Sequence, residues 1–155
     1  MQNPSVLDVM NSLNGPMRVL IDPNGFSKDG TVALSDTSPS RDGRYMAYAV
    51  SEAGSDWVTW KVRDVKTGED TSDVVRWVKF SGASWTRDSK GFFYCRYDEP
   101  KTKEAFSGAN YFMKVYHHRL GTPQSADRLV AEDRVNKDVM FGAGVTWDGR
   151  YLVIG

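Results

Sequence analysis

SRDGRYMAY at residues 40–48 returns as TRDSKGFFY at residues 86–94 and as TWDGRYLVI at residues 146–154. Each copy has a hydroxyl residue, any residue, Asp, a small residue and a base, followed by a run of strand-forming residues. An Asp followed by a small residue favours a tight turn, because the carboxylate binds nearby backbone amides and Gly accepts positive φ. The repeat therefore predicts three tight turns, each followed by an extended and mostly apolar strand.

The similarity of the three copies extends upstream of the turn. A large apolar residue lies six positions before each hydroxyl residue, at Leu34, Phe80 and Met140, and small pairs follow at Gly82–Ala83 and Gly142–Ala143. Small residues in a strand let a neighbouring backbone approach closely, as is required where strands crowd around an axis. The turn aspartates lie 46 and then 60 residues apart, and periods of roughly 40–50 residues with four strands each are typical of propeller blades.

The predicted fold is all-β: about three four-stranded blades of an incomplete β-propeller. The sequence is interpreted as one partial propeller over residues 1–155, with blade-like units at approximately 31–79, 80–139 and, truncated, 140–155. Because closed propellers have about 4–8 blades, we expect a piece of a longer protein, or else a chain whose copies associate.

Other elements follow from shorter patterns. Outer strands are predicted at Val58–Arg63 and Met113–Leu120, since each occupies the same place in its unit. Val19–Ile21 has the character of the last strand of an earlier blade, and Asp133–Met140 has a weak helical pattern.

Composition excludes several function classes. Lys plus Arg and Asp plus Glu both number 20, giving a formal net charge of +0. A nucleic-acid or anionic-membrane binder needs a cationic surface, and no apolar run approaches the roughly 20 residues that span a bilayer. We therefore expect no nucleic-acid and no membrane partner.

The sequence has few candidates for catalysis. It contains no Gly-x-Ser-x-Gly elbow, phosphate loop or dinucleotide fingerprint, so we predict no catalytic residue, no metal site and no cofactor. His117 and His118 are adjacent in a strand and face opposite sides, which favours structural roles over a shared metal ion. The single cysteine, Cys95, is interpreted as a packed thiol.

The apolar residues that are expected to face the channel are the better candidates for binding. Leu34, Phe80 and Met140 share one repeat position at the start of the innermost strand, where a large apolar group either plugs the channel or contacts a ligand. The repeat alone leaves both alternatives open. Packing between blades is favoured over a ligand groove for four tryptophans: Trp57, Trp60, Trp77 and Trp85.

From Arg18 to Gly155 the chain resembles part of the N-terminal propeller domain of prolyl oligopeptidase (prolyl endopeptidase), of bacterial type. The resemblance is carried by stretches that come in family order: DGTVAL (29–34), GSDWVT (54–59), VKFS (78–81), WTRD (85–88), YHHRLGT (116–122) and DGRY (148–151). The chain departs from the pattern at Ser89, where the family more often has Gly, and at residues 38–41, which predict an irregular first-blade register.

The resemblance implies a serine protease with a seven-bladed propeller and an α/β-hydrolase domain that cuts short peptides after proline. In that family the propeller limits access to the active site and lends apolar side chains to the third substrate subsite. The positions that match are Phe80 and Met140. The implied partners are a short proline-containing peptide, the missing hydrolase domain and the remaining blades.

This chain is therefore expected to be a fragment of a hydrolase that takes part in proteolysis but is inactive alone. The alternative is a stand-alone β-propeller that acts as a protein-interaction module. The expected compartment is the cytoplasm, or the periplasm if a signal peptide precedes the chain.

Overall fold

The structure, a computed structural model, describes residues 18–100 and 110–155. Two antiparallel four-stranded sheets and one two-stranded sheet follow one another along the chain. The first sheet contains β1 (Val32–Pro39), β2 (Tyr45–Glu52), β3 (Val58–Asp64) and β4 (Asp70–Val78). The second contains β5 (Ser84–Trp85), β6 (Gly91–Arg96), β7 (Lys114–Arg119) and β8 (Arg128–Glu132), and the third β9 (Ala143–Val145) and β10 (Leu152–Ile154). Each sheet is ordered as its strands occur in sequence, which confirms the prediction of an all-β, incomplete propeller.

The main core lies between the first two sheets. Trp60 and Val62 of β3 are buried against Trp85, Phe92 and Tyr94 of the second sheet. These residues belong to alternate positions of their strands, so one face of each sheet is apolar. Trp60 and Trp85 therefore pack between blades, as the sequence predicted.

Small residues bring the first strands of successive blades close together. The Ser38 hydroxyl donates to the carbonyl of Ala83 at 2.7 Å, and the Trp85 indole donates back to the Ser38 carbonyl at 2.9 Å. The Val145 amide donates to the Ser84 hydroxyl at 2.9 Å in the next pair of blades. A larger side chain than Ala or Ser at these points would separate the strands.

The predicted Asp turn is present three times. In the first blade the Ser40 hydroxyl and the Arg44 amide both donate to Asp42 Oδ1, at 2.6 and 3.0 Å. Asp88 accepts in the same way from Thr86 and Lys90, and Asp148 from Thr146 and Arg150. The residue after each Asp has positive φ, at 71° for Gly43, 55° for Ser89 and 70° for Gly149. Ser89 thus adopts the same left-handed backbone as the glycines at this position of the other two turns.

The three turns also contact one another. The Asp42 amide donates to the Ser89 hydroxyl at 3.2 Å, and Gly149 lies against the side chain of Arg87. Arg41 extends from the first blade to the third, where its guanidinium donates to the carbonyls of Trp147 at 2.5 Å and Thr146 at 2.6 Å. The turn side of the three blades is therefore a continuous rim.

Two minor predictions were wrong. Val19–Ile21 forms no strand, although the Leu20 carbonyl accepts from Arg63 at 2.7 Å. Residues 133–140 form bends and one turn rather than a helix: the Asp133 carboxylate accepts from the amides of Val135 and Asn136, as at the first turn of a helix, but no helix follows. The only helices in the parts of the chain described are 3-10 turns of three residues, so no helix there is long enough to cross a membrane.

The first inner strand is irregular, but not at residues 38–41. Its register shifts between Leu34 and Asp36, where β1 has one residue more than its partner β2. The predicted outer strands are present as β3 and β7.

Gly91 provides a test of the tight packing inside the second blade. A Cβ at this position would collide with the backbone carbonyl of His118 on the neighbouring strand. We expect Gly91→Ala to lower the free energy of unfolding by about 1–3 kcal/mol, in a urea titration followed by tryptophan fluorescence. Gly144→Ala is the matched control, since a Cβ there meets no heavy atom within 4 Å. Equal unfolding midpoints for the two variants would contradict the packing described.

Candidate functional site: an apolar pair at the start of the inner strands

Phe80 and Met140 lie where the chain enters the inner strand of the second and the third blade. Phe80 is in the connection between β4 and β5, and Met140 in the connection between β8 and β9. Their side chains are 65% and 54% exposed. Leu34, the third member of the repeat position, is instead half-buried within β1 and pairs with Val50. The structure thus separates two exposed apolar residues from one that belongs to the sheet.

The backbone of Phe80 is strained. Its φ is 53°, in the left-handed region that favours glycine, and a side chain with a Cβ costs about 1–2 kcal/mol there. Strain of this kind persists only where the surroundings fix the conformation, and it is concentrated at functional sites. An exposed ring on a strained backbone contributes little to packing, so Phe80 is a candidate for binding.

The residues on both sides of Phe80 are anchored. Val78 is fully buried at the end of β4. The Ser81 hydroxyl accepts from the Cys95 amide at 2.7 Å, and the Ser81 carbonyl accepts from the Trp60 indole at 3.3 Å. These contacts hold the chain on each side of residue 80 and leave the ring pointing away from the core.

Lys79 is a buried cation directly beside this ring. Its ammonium nitrogen lies 4.8 Å from the centre of the Trp57 ring, 5.9 Å from the centre of the Phe80 ring and 3.9 Å from an Asp56 carboxylate oxygen. A cation over an aromatic face is attracted by the ring's electron density. Lys79 therefore links the Phe80 connection to the connection between β2 and β3 of the first blade.

Met140 has an anchored neighbour as well. Phe141 packs against the second apolar cluster, which includes Met113, Cys95 and Val115. The Phe141 amide donates to the Met113 sulfur at 3.2 Å, and Gly142 exchanges two backbone hydrogen bonds with Gly155. Met140 is thus exposed next to a segment held by both packing and hydrogen bonds.

The groups with possible reactivity are occupied elsewhere. Burial raises the pKa of the Cys95 thiol, which keeps it protonated and inert. His117 packs on Phe93 with ring centres 4.9 Å apart, and burial lowers its pKa. His118 is fully buried between two aspartates, on the opposite face of the sheet. Within residues 18–100 and 110–155, no group of three or more His, Cys, Asp or Glu residues is arranged to hold a metal ion.

The arrangement is suited to apolar contact rather than to bond cleavage. Phe80 and Met140 were predicted from the sequence, first with Leu34 as one repeat position and then by the family resemblance, whereas Lys79 and the strain at Phe80 were not. Lys79 did leave a signal, since it is a charged residue between the apolar residues Val78 and Phe80. A positive φ at a phenylalanine leaves none, because most residues favour negative φ.

Comparison with known proteins gives the same fold and a family. The model of the prolyl oligopeptidase N-terminal beta-propeller domain matches residues 1–155. The chain is 43% identical over 140 residues to a prolyl endopeptidase of Elizabethkingia meningoseptica, covering 90% of this chain and 20% of that protein. It is also 43% identical over 152 residues to prolyl oligopeptidase A of Galerina marginata, covering 88% and 21%.

Solved structures agree with the sequence comparison. A structure from a study of two prolyl endopeptidases matches with a TM-score of 0.79 and 40% identity, over 92% of this chain and 20% of that one. Prolyl oligopeptidase B of Galerina marginata, bound to a 35mer substrate, matches with a TM-score of 0.79 and 33% identity, over 86% and 20%. The chain spans about a fifth of the length of these relatives. It belongs to the prolyl oligopeptidase family, within the N-terminal β-propeller domain.

Proposed function

We propose that this chain is the access-limiting propeller segment of a serine endopeptidase that hydrolyses short peptides after proline. Phe80 and Met140 contact an apolar side chain at the third subsite of the bound peptide. The covalent chemistry belongs to a separate α/β-hydrolase domain with a Ser-Asp-His triad, and this chain supplies none of it. The expected compartment is the cytoplasm, or the periplasm if a signal peptide precedes the chain.

The observation that carries the proposal is that Phe80 exposes its ring although its backbone is strained. The strain costs free energy without burying the ring, so the side chain is retained for something other than stability. An apolar substrate group that packs on Phe80 and Met140 would gain about 25 cal/mol for each Å² removed from water. The related prolyl oligopeptidase B of Galerina marginata is bound to a 35mer hydrolysis and macrocyclization substrate, which supports a peptide as the ligand of this chain.

The propeller contributes by exclusion as well as by contact. Neighbouring blades are joined by hydrogen bonds between inner strands and by the rim that Arg41 completes. A rigid wall of this kind admits an extended peptide only where the blades or domains leave an opening, and it rejects a folded protein. Substrates are therefore selected first by their size, and then by the side chain that contacts Phe80 and Met140.

The contribution of Phe80 to binding is tested in a chimera. The corresponding segment of the Elizabethkingia meningoseptica prolyl endopeptidase is replaced by this chain, and two reporter peptides differ only in Phe or Gly at the third position before the cleaved bond. We expect Phe80→Ala to lower kcat/KM about tenfold for the Phe peptide, because part of an apolar pocket is worth about 1–3 kcal/mol. For the Gly peptide, kcat/KM should change by less than about twofold, because this peptide has no side chain to pack on Phe80.

Trp147→Ala is the matched control for the chimera. Trp147 is also an exposed aromatic residue, but it lies at the opposite end of an inner strand. Trp147→Ala should leave the ratio of kcat/KM for the Phe peptide to kcat/KM for the Gly peptide unchanged. An equal loss for both peptides in Phe80→Ala would remove Phe80 from the third subsite while leaving the peptidase assignment intact.

The strain at Phe80 gives a separate test by stability. We expect Phe80→Gly to be more stable than Phe80→Ala by about 0.5–1 kcal/mol in urea unfolding, because only glycine adopts this φ freely. The same pair at Leu34 should show the reverse order, since glycine weakens a strand interior. If Phe80→Gly is the less stable variant, the backbone at residue 80 is not strained and strain gives no reason to assign Phe80 a binding role.

Because the proposal assigns the covalent chemistry to a separate hydrolase domain, we expect that the purified chain alone hydrolyses no proline-containing reporter peptide. The physical reason is that the sequence contains no Gly-x-Ser-x-Gly elbow to present a nucleophilic serine. The measurement is fluorescence release across gel-filtration fractions, with the chimera as positive control. Turnover that follows the chain's own peak, and that a serine-directed covalent inhibitor abolishes, would contradict the proposal.

A further inference from the structure

Each of the first two blades contains a polar cluster that the proposed function does not use. In the first blade, Asp70 accepts from the Tyr48 hydroxyl and from Arg63, both at 2.7 Å. In the second blade, Asp127 accepts from the Tyr94 hydroxyl at 2.7 Å and lies 2.7 Å from Nδ1 of His118. The same arrangement of a tyrosine, an aspartate and a nitrogen base is built twice.

The two clusters occupy equivalent places in the repeat. Tyr48 and Tyr94 each follow their turn aspartate by six residues. Arg63 and His118 pair with Met46 and Phe92, which each follow the turn aspartate by four residues. Arg63 and His118 are therefore the same position in successive blades, with a different base.

In both clusters the base also bonds to the segment before its own blade. Arg63 donates to the carbonyl of Leu20 at 2.7 Å. His118 Nε2 lies 3.0 Å from Oδ1 of Asp73, which belongs to β4 of the first blade. The contact between His118 and Asp73 thus crosses the boundary between the two blades, which we call the seam.

Other groups complete the seam around Asp73. The amide of Gly121, in the second blade, donates to Asp73 Oδ1 at 2.6 Å, and the Thr71 hydroxyl donates to Oδ2 at 2.7 Å. His118 is 0% exposed and Asp73 is also buried. Water therefore replaces none of these hydrogen bonds while the seam is closed.

The geometry determines the charge of the histidine. Both ring nitrogens of His118 face a carboxylate oxygen, and a carboxylate only accepts hydrogen bonds. A neutral imidazole has one N–H, so only the imidazolium satisfies Asp73 and Asp127 at once. The groups against the ring are Asp73 from β4, Asp127 before β8 and the Phe92 ring from β6. The Thr71 hydroxyl and the Gly121 amide donate to Asp73, and the Tyr94 hydroxyl donates to Asp127.

We propose that His118 is a pH-sensitive lock between the first two blades: its imidazolium holds the seam closed at neutral pH, and loss of one ring proton at alkaline pH releases it. Deprotonation leaves two buried carboxylates with no cation between them, and one of them loses the ring N–H as a donor while keeping its hydroxyl or amide donors. An unpaired buried charge is strongly destabilising, so water enters and the seam opens. The equivalent Arg63 does not lose its proton in this range, so the first cluster is not a lock of this kind.

The direction of the pH effect follows from the balance at His118. Burial alone would lower the pKa of this histidine, but the hydrogen bonds to Asp127 and Asp73 outweigh burial and raise the pKa to about 9. Because an exposed histidine has a pKa of about 6.5, the closed seam holds a proton that the open seam releases. The stabilisation is complete below about pH 6.5 and is lost as the pH rises through about 9, with opening increasing about tenfold per pH unit between them.

The Gly121 amide is the reporter for the test, because it donates across the seam. Its hydrogen–deuterium exchange is measured in the intact chain from pH 6 to 10 and corrected for the intrinsic rate. We expect its protection factor to fall about tenfold per pH unit between about pH 7 and 9. The Asp64 amide, which bonds to Glu69 within the first blade, should show no such fall.

Two variants separate the lock from general alkaline loosening. His118→Arg supplies a cation that does not titrate, as Arg63 does in the first blade, and should make the Gly121 protection independent of pH. His117→Gln removes the neighbouring histidine from the other face and should keep the wild-type slope. Protection in the wild type that is flat across this pH range, or a slope that persists in His118→Arg, would overturn the proposal.

A direct measurement covers the case in which His118→Arg does not fold. The ring nitrogen signals of wild-type His118 are followed by NMR during a pH titration. We expect the ring to carry both protons at pH 7.5, one unit above the pKa of an exposed histidine. A neutral ring at pH 7.5 would rule out the lock.

Discussion

The hydrogen bond from a hydroxyl to the aspartate two residues later is the interaction on which the remaining structure depends. It closes the turn between the inner strand and the second strand in all three blades. Since side chains alternate along a strand, a turn shifted by one residue would move Trp85 and Phe92 to the wrong face of their sheet. The contact between the sheets, and with it the core, follows from the position of these turns.

The fold was predictable from sequence because it is built from local signals. A turn needs only Asp, a small residue and a hydroxyl within a few positions, and the apolar strand follows directly. The inner strands were predictable for the same reason, since Gly82 and Ala83 stand at fixed offsets from the turn. Val19–Ile21 was wrongly predicted as a strand because a run of three apolar residues is too short to distinguish a strand from other extended structure.

The remaining features depend on distant residues and left weaker signals. Asp73 and His118 are 45 residues apart in sequence and meet only because two sheets stack. The sequence placed His118 in a structural role and on the opposite face from His117, but it gave no means to identify the buried carboxylates. Phe80 was identified through its place in the repeat together with the family resemblance, whereas the strain that distinguishes it from Leu34 is visible only in the backbone angles.

The Arg41 side chain has a consequence for how the blades respond to mechanical load. Its guanidinium passes the second blade and binds the third directly, while the second blade contacts both neighbours through Ser89 and Arg87. Each blade is therefore in contact with both of the others on this side of the structure. Outward displacement of the middle blade alone would have to break its contacts on both sides at once, so force applied at one turn spreads over all three blades.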